Sequence, residues 1–315
     1  MMLSPIGMLS PIDMSALAAR MAQLDEVRGR SLWADARTRF ARNTAAVAGL
    51  VMLVICFAYA FLGQALSPHT FDFTDFKIMG HASELGWPSL SNGHYFGVDD
   101  LGRDLFARTA QGTRISLFVG VIGAFISVVV GTIYGAVAGY VGGRTDQIMM
   151  RIVDILLAIP FMFVLILLLV MFGQSILMLF VGIAMLSWLG MARIVRGQTL
   201  SLKNKEFIEA ARATGVPTFT IIIRHIVPNL LGIVVVYATL LVPDMILTES
   251  FISFLGLGVQ APRTSLGALI AEGAKTMTYG TLWQLAFPLF FFVTTMFAFY
   301  FVGDGLRDAL DPKDR

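Results

Sequence analysis

A chain of 315 residues that is 57% hydrophobic and only 14% charged departs far from a water-soluble domain, where roughly half of the residues are apolar and about a quarter charged. A net charge of +2 provides no basic field for nucleic acid, and the single cysteine, Cys56, excludes a disulfide framework. The composition is that of an all-α integral membrane protein.

A helix needs about 20 apolar residues to cross a bilayer. Six stretches meet that requirement, roughly 45–67, 115–141, 150–172, 176–192, 230–249 and 284–303. The opening MMLSPIGMLSPIDM has no basic residues ahead of an apolar core, so it does not read as a signal peptide, and the first span reads as an uncleaved anchor. From Ser31 onward Leu32, Trp33, Ala36 and Phe40 recur at helical spacing, with Arg37, Arg39 and Arg42 between them. That pattern fits an amphipathic helix in the inner membrane interface, or a plain extension of the first span.

Most of the 23 lysines and arginines lie in the N-terminal tail, the turn after the second span, the stretch Arg193–Asn229 and the C-terminal tail. Only Lys77, Arg103, Arg108, Arg114, Arg263 and Lys275 fall on the opposite side. The positive-inside rule then places both termini and Arg193–Asn229 in the cytoplasm. The chain divides into a cytoplasmic tail with the interfacial helix (1–44), a first transmembrane helix (45–67), an outward-facing loop (68–114), a five-helix core (115–303) and a C-terminal tail (304–315).

In the outer loop, Asp99 and Asp100 with Arg103 read as a loop-closing charge network. His94 beside them lacks the companions of a metal site. Gly131, Gly135, Gly139 and Gly143 recur at every fourth residue, a small-residue stripe that lets helices approach closely in lipid. In the third span Asp154 lies three residues after Arg151, as an interfacial pair or a gating group. The fifth span carries Pro243 and Asp244 inside its apolar run and Glu249 at its outer end. Intramembrane carboxylates usually face a bundle interior or a water-filled path, so both are candidates for a translocation pathway. A hydrogen bond to a neighbouring helix is the alternative for Asp244. Residues 250–283 are too interrupted for a span, and a short outer-face or re-entrant helix over Ser265–Lys275 fits them.

The stretch Arg193–Asn229 joins spans four and five and holds six basic residues. It predicts a helix over Lys205–Thr214, a break at Gly215-Val216-Pro217, and a second helix over Thr218–Val227 that Pro228 ends. This two-helix hook would present a rigid surface to a partner. No GxxxxGK[ST] is present, so the chain has no P-loop of its own. No Ser/His/Asp or Cys/His set emerges from spacing, and no catalytic residue is assigned.

The hook is where a family resemblance becomes visible. Glu209-Ala210-Ala211, Gly215 and Pro228 at their spacing resemble the EAA loop of ATP-binding-cassette importer permeases. The departures at His225 and Val227 match the peptide-importer branch, whose version reads RHIVPN, as Arg224 to Asn229 do here. The segment from Phe96 to Leu117 is similar to that branch's GTDxxGRD segment, with Val98 in place of Thr. FLGLGVQAP and GDGLRDALDPKDR resemble its outer-loop and C-terminal signatures. The likeness covers nearly the whole chain after Arg28, closest to the C-type permeases of bacterial oligopeptide importers.

The resemblance implies a type I importer permease fold with six transmembrane helices in the bacterial inner membrane. It implies a heterodimer with a second permease, two ATPase subunits that hold ATP and Mg, and a periplasmic peptide-binding protein. The chain itself would bind no cofactor or metal. Glu209, Ala210, Ala211, Gly215, Arg224, His225 and Pro228 would couple to the ATPase. A dipeptide or nickel importer keeps the same architecture, and a secondary transporter is the reading from another class.

Overall fold

The computed structural model describes residues 32–310, and among these the chain is helical apart from loops and two isolated β-bridges. The expectations for residues 1–31 and for the last residues of the C-terminal tail lie outside the described part. Helix α1 (Leu32–Arg42) ends at Asn43, whose side chain accepts from Ala46 N–H and starts α2 (Thr44–Leu66). After a loop with a one-turn helix, α3 (Ala82–Leu85), comes α4 (Leu105–Val141). It is ten residues longer at its start than the apolar run indicates, because Asp104 caps it by accepting from Ala107 N–H at 2.8 Å. Asp104 also pairs with His94 at 2.9 Å and accepts from Ser67 at 3.1 Å, which closes the outer loop onto two helices.

The third predicted span is broken. Helix α5 (Gly143–Ala158) and helix α6 (Phe161–Phe172) meet at 74°. Pro160 forces Ile159 into an extended conformation (φ −81°, ψ 125°) and ends the helix there. Helix α5 carries Arg144, Asp146, Arg151 and Asp154, so it suits an interface. Helix α6 spans only about 18 Å at 1.5 Å per residue, short of the roughly 30 Å hydrocarbon core.

Helix α7 (Ile176–Leu202) runs ten residues past the predicted fourth span, so Arg193–Leu202 belongs to that span and not to the hook. The short helix α8 (Glu206–Ala213) follows. The chain then rises as one helical rod from Thr218 to Phe254, made of α9 (Thr218–Ile221), a π-turn (Ile222–Ile226) and α10 (Val227–Phe254). Pro228 therefore does not end a helix. It lacks the N–H that a regular turn would need and its ring would crowd the preceding carbonyl. The wider π-turn before it makes room, and the Asn229 side-chain amide donates to the His225 carbonyl at 2.6 Å. Helix α11 (Leu266–Thr276), capped by Ser265, is the short helix expected over Ser265–Lys275, and α12 (Trp283–Leu310) completes the chain.

Among the described residues five helices are long and apolar enough to cross a membrane, or six if the bent pair counts as one. Helix α4 lies at the centre, with α7 along one side and α10, α2 and α12 around the other. The glycine stripe explains the first contact. A Cβ at Gly131, Gly135 or Gly139 would collide with Trp188, Met191, Ala192, Arg196 or Thr199 of α7. Gly143 is not on that seam. The helix ends at Gly142 (φ 71°), and Gly143 (φ 56°) opens α5 with no atom near its missing side chain. The four-residue repeat outlasts the helix that gives it meaning.

Candidate functional site

The hook consists of residues 203–217, one helix and a turn. Helix α8 presents Ile208 and Ala211 inward, where they pack with Ile221, Ile222 and Ile226 of the following rod, Ala136 and Tyr140 of α4, and Met191 and Val195 of α7. Its opposite face, with Glu206, Phe207, Glu209, Ala210 and Ala213, is exposed. The two alanines of the motif thus serve different surfaces. Ala211 lets α8 sit close to its own bundle, and Ala210 leaves a shallow surface for something else.

The turn is a Schellman motif. The amide of Val216 donates to the Ala211 carbonyl at 3.1 Å and that of Gly215 to Arg212 at 3.0 Å. This geometry puts Gly215 at φ +77°, which a side chain rarely adopts. Thr214 ties the end further, its hydroxyl donating to the Ala210 and Ala211 carbonyls. Arg212 lies over the Tyr140 ring, 5.7 Å from its centroid. Arg224 and His225 fall on the π-turn at the foot of α10, Arg224 exposed and His225 half-buried; Pro228 is exposed directly above. The structure thus gathers Glu209, Ala210, Gly215, Arg224, His225 and Pro228 at one end of the bundle, with Ala211 beneath them.

Charges that spacing did not connect hold the base of the hook. Arg196 of α7 donates two hydrogen bonds of 2.6 Å to Asp146 of α5. Arg193 donates to Asp154 at 2.5 Å, so the partner of Asp154 is on α7 and is not Arg151. Lys203 reaches the Gly139 carbonyl at 3.2 Å. The ends of α4, α5 and α7 are therefore clamped where the hook begins. The pairs lie 39 and 50 residues apart, beyond any local pattern.

Asp244 and Glu249 part company. Glu249 is fully buried and accepts from Ser116 at 2.8 Å, Ser253 at 2.6 Å and Ser250 at 3.4 Å. Ser116 also receives the Leu266 amide at 3.3 Å. Glu249 is thus a junction of α4, α10 and the start of α11, and not a pathway group as its place at the end of the span suggested. Asp244 is exposed on the uncovered face of α10, with Tyr237, Leu247 and Phe251.

At the loop end, Asp99 binds Arg103 at 2.7 Å and the fully buried Arg108 at 3.2 Å, while both arginines also reach Glu272 of α11. Asp100 is not in that network; it accepts from Gln284 at 3.1 Å. This ionic knot fastens the outer loop to α11.

A central helix flanked by apolar spans, with a short helix exposed between two of them, is the architecture of an ABC importer permease. The same fold occurs in the methionine ABC transporter MetNI in its inward-facing conformations, with a TM-score of 0.52 over 64% of this chain and 94% of that one, at 19% identity. The chain belongs to the family of binding-protein-dependent transport system inner membrane components, whose model matches residues 131–315. Residues 31–82 match the N-terminal transmembrane domain of oligopeptide transport permease C. The oligopeptide transport system permease protein OppC of Haemophilus influenzae is 53% identical over 99% of this chain and 98% of that protein. OppC of Escherichia coli is 59% identical over 92% and 94%. The dipeptide transport system permease protein DppC of Bacillus subtilis is 47% identical over 89% and 86%. The chain is thus a multi-pass membrane transport subunit.

Proposed function

We propose that this chain is the C-type permease subunit of an ATP-driven oligopeptide importer of a bacterial inner membrane. Its partners are a second permease, two ATPase subunits that bind ATP and Mg, and a periplasmic peptide-binding protein. The hook and both termini face the cytoplasm and the loop 67–104 faces the periplasm. The observation that carries this reading is the bare outer face of α8 on a chain without a P-loop. The chain cannot hydrolyse ATP through such a loop, so motion must reach it by contact, and α8 is exposed, backed by a packed core and fixed by the Schellman turn. The cargo class is supported by the identity with the two OppC proteins over nearly the whole chain.

Closure of the ATPases displaces α8. Because α8 is joined through short turns to α7 and to the rod Thr218–Phe254, the displacement tilts both. The Arg196–Asp146 and Arg193–Asp154 pairs carry α5 along with α7. A tilt of rigid rods about the glycine seam exchanges outward and inward openings. Asp244 lines the path.

A dipeptide importer is the second reading, favoured by the identity with DppC. Reconstitution of the complete importer in proteoliposomes with labelled peptides of graded length separates the two. ATP-dependent uptake of peptides longer than two residues is expected. Uptake confined to dipeptides selects the second reading, and uptake that needs neither ATP nor the ATPase subunits overturns both.

A further inference from the structure

Peptides of different sequence share little chemistry beyond their backbone, their α-ammonium group and their terminal carboxylate. A permissive path can therefore recognise the ends of its cargo but not a particular side chain. The uncovered face of α10 carries Ile233, Tyr237, Leu247, Phe251 and Phe254, and its one carboxylate is Asp244. No hydrogen bond or ion pair from the described residues reaches that carboxylate; only its backbone carbonyl is engaged, by the Thr248 hydroxyl at 2.9 Å. An unpaired carboxylate within an apolar span is costly. Five residues further along, the same helix shows how this chain treats a structural carboxylate: Glu249 is enclosed and met by three serines.

One turn beyond Asp244 a cleft of ≈ 500 Å³ opens beside the same face. Leu247, Phe251 and Phe254 of α10, Met162 of α6, Ile270 of α11 and Phe292 of α12 line it. Its wall is apolar and its volume exceeds that of an aromatic side chain. A carboxylate next to an apolar cleft matches the first residue of a peptide, whose ammonium and side chain leave the same carbon atom.

We infer that Asp244 is the transient counter-ion of the α-ammonium group of a peptide in transit, with the adjacent cleft receiving the side chain of the peptide's first residue. The inference rests on the peptide-importer reading. The contact is brief by construction: one charge pair in a wet path holds a peptide weakly enough to release it.

The test uses the complete importer in proteoliposomes, with labelled tripeptides that have a free amino group and begin with glycine or phenylalanine. Asp244→Asn is expected to lower uptake of both by about tenfold, the scale of one lost charged hydrogen bond. Asp244→Glu restores uptake to within about threefold of the wild type. Both variants are expected to assemble with the partner subunits at wild-type yield, read by pull-down of the ATPase subunits. Leu247→Trp, which fills the cleft, slows the phenylalanine-first peptide more than the glycine-first one. Wild-type uptake by Asp244→Asn overturns the inference, as does a Glu variant as poor as the Asn variant. Loss of assembly in step with loss of uptake would make the role structural and overturn the inference, and equal slowing of both peptides by Leu247→Trp removes the cleft from the site. Failure of the wild-type complex to move any peptide refutes the importer reading instead.

Discussion

Gly215 sits at φ +77° with no atom within 4 Å of the position a Cβ would occupy. A substitution there meets no neighbour among the described residues, so its internal cost is conformational, about 1–2 kcal/mol for a residue other than glycine in the left-handed region. Asparagine tolerates that region better than a β-branched residue does. Gly215→Val is therefore expected to assemble with its partner subunits yet lose peptide uptake, while Gly215→Asn keeps a substantial part of it. Pull-down of the ATPase subunits and uptake measured on one preparation decide this. Normal uptake by the valine variant would remove the hook from its coupling role. The residue scale also separates the two acids of α10: the Glu249 carboxylate shares its hydrogen bonds among three serines, and the Asp244 carboxylate has none among the described residues.

Helix against helix, the seam between α4 and α7 depends on backbone approach. Lipid offers no hydrophobic drive for such contacts, so close van der Waals packing has to supply it. Gly135 lies where a Cβ would strike the Ala192 carbonyl, which is backbone and cannot move aside. Gly135→Leu should cost at least the 1–3 kcal/mol or so of an overpacked core, read as a lower melting temperature of the purified protein in detergent. Gly190 in α7 supplies the control, because nothing lies near its missing side chain. Gly190→Leu is expected to leave stability near the wild type. Equal effects of the two would show that the seam is not the closest contact between these helices. At the same scale, Pro160 breaks a span whereas Pro228 is absorbed. Pro160 follows an extended residue, and Pro228 follows a π-turn.

For the molecule as a whole, the proposed orientation, argued from the distribution of positive charge, has the hook and the outer loop on opposite sides of the membrane. The only cysteine, Cys56, is buried with 1% exposure, so introduced thiols can be read against a low background. In intact spheroplasts a membrane-impermeant maleimide should label Leu90→Cys, whose parent is 84% exposed in the loop. It should label Ala213→Cys on the hook only after the membrane is opened. Labelling of Ala213→Cys from outside would reverse the orientation and end the coupling reading.

The stretches of apolar sequence already located five long helices, the short helix after Ser265, and a hook with glycine at its turn. Each of these follows from local rules: transfer of apolar side chains into lipid, capping, and the one residue type suited to a positive φ. The Asp99–Arg103 pair was legible for the same reason, since four residues separate its members. Tertiary structure alone decided the rest. Asp154 pairs with Arg193 and Asp146 with Arg196, because the glycine seam draws α7 against α4 and so brings it to α5. Glu249 is enclosed because Ser116, more than a hundred residues earlier, reaches the same depth on α4. Asp244, five residues before it on the same helix, stays bare because no other described helix covers that face. A carboxylate in an apolar run is visible in sequence; whether it is paired depends on which helices lie beside it.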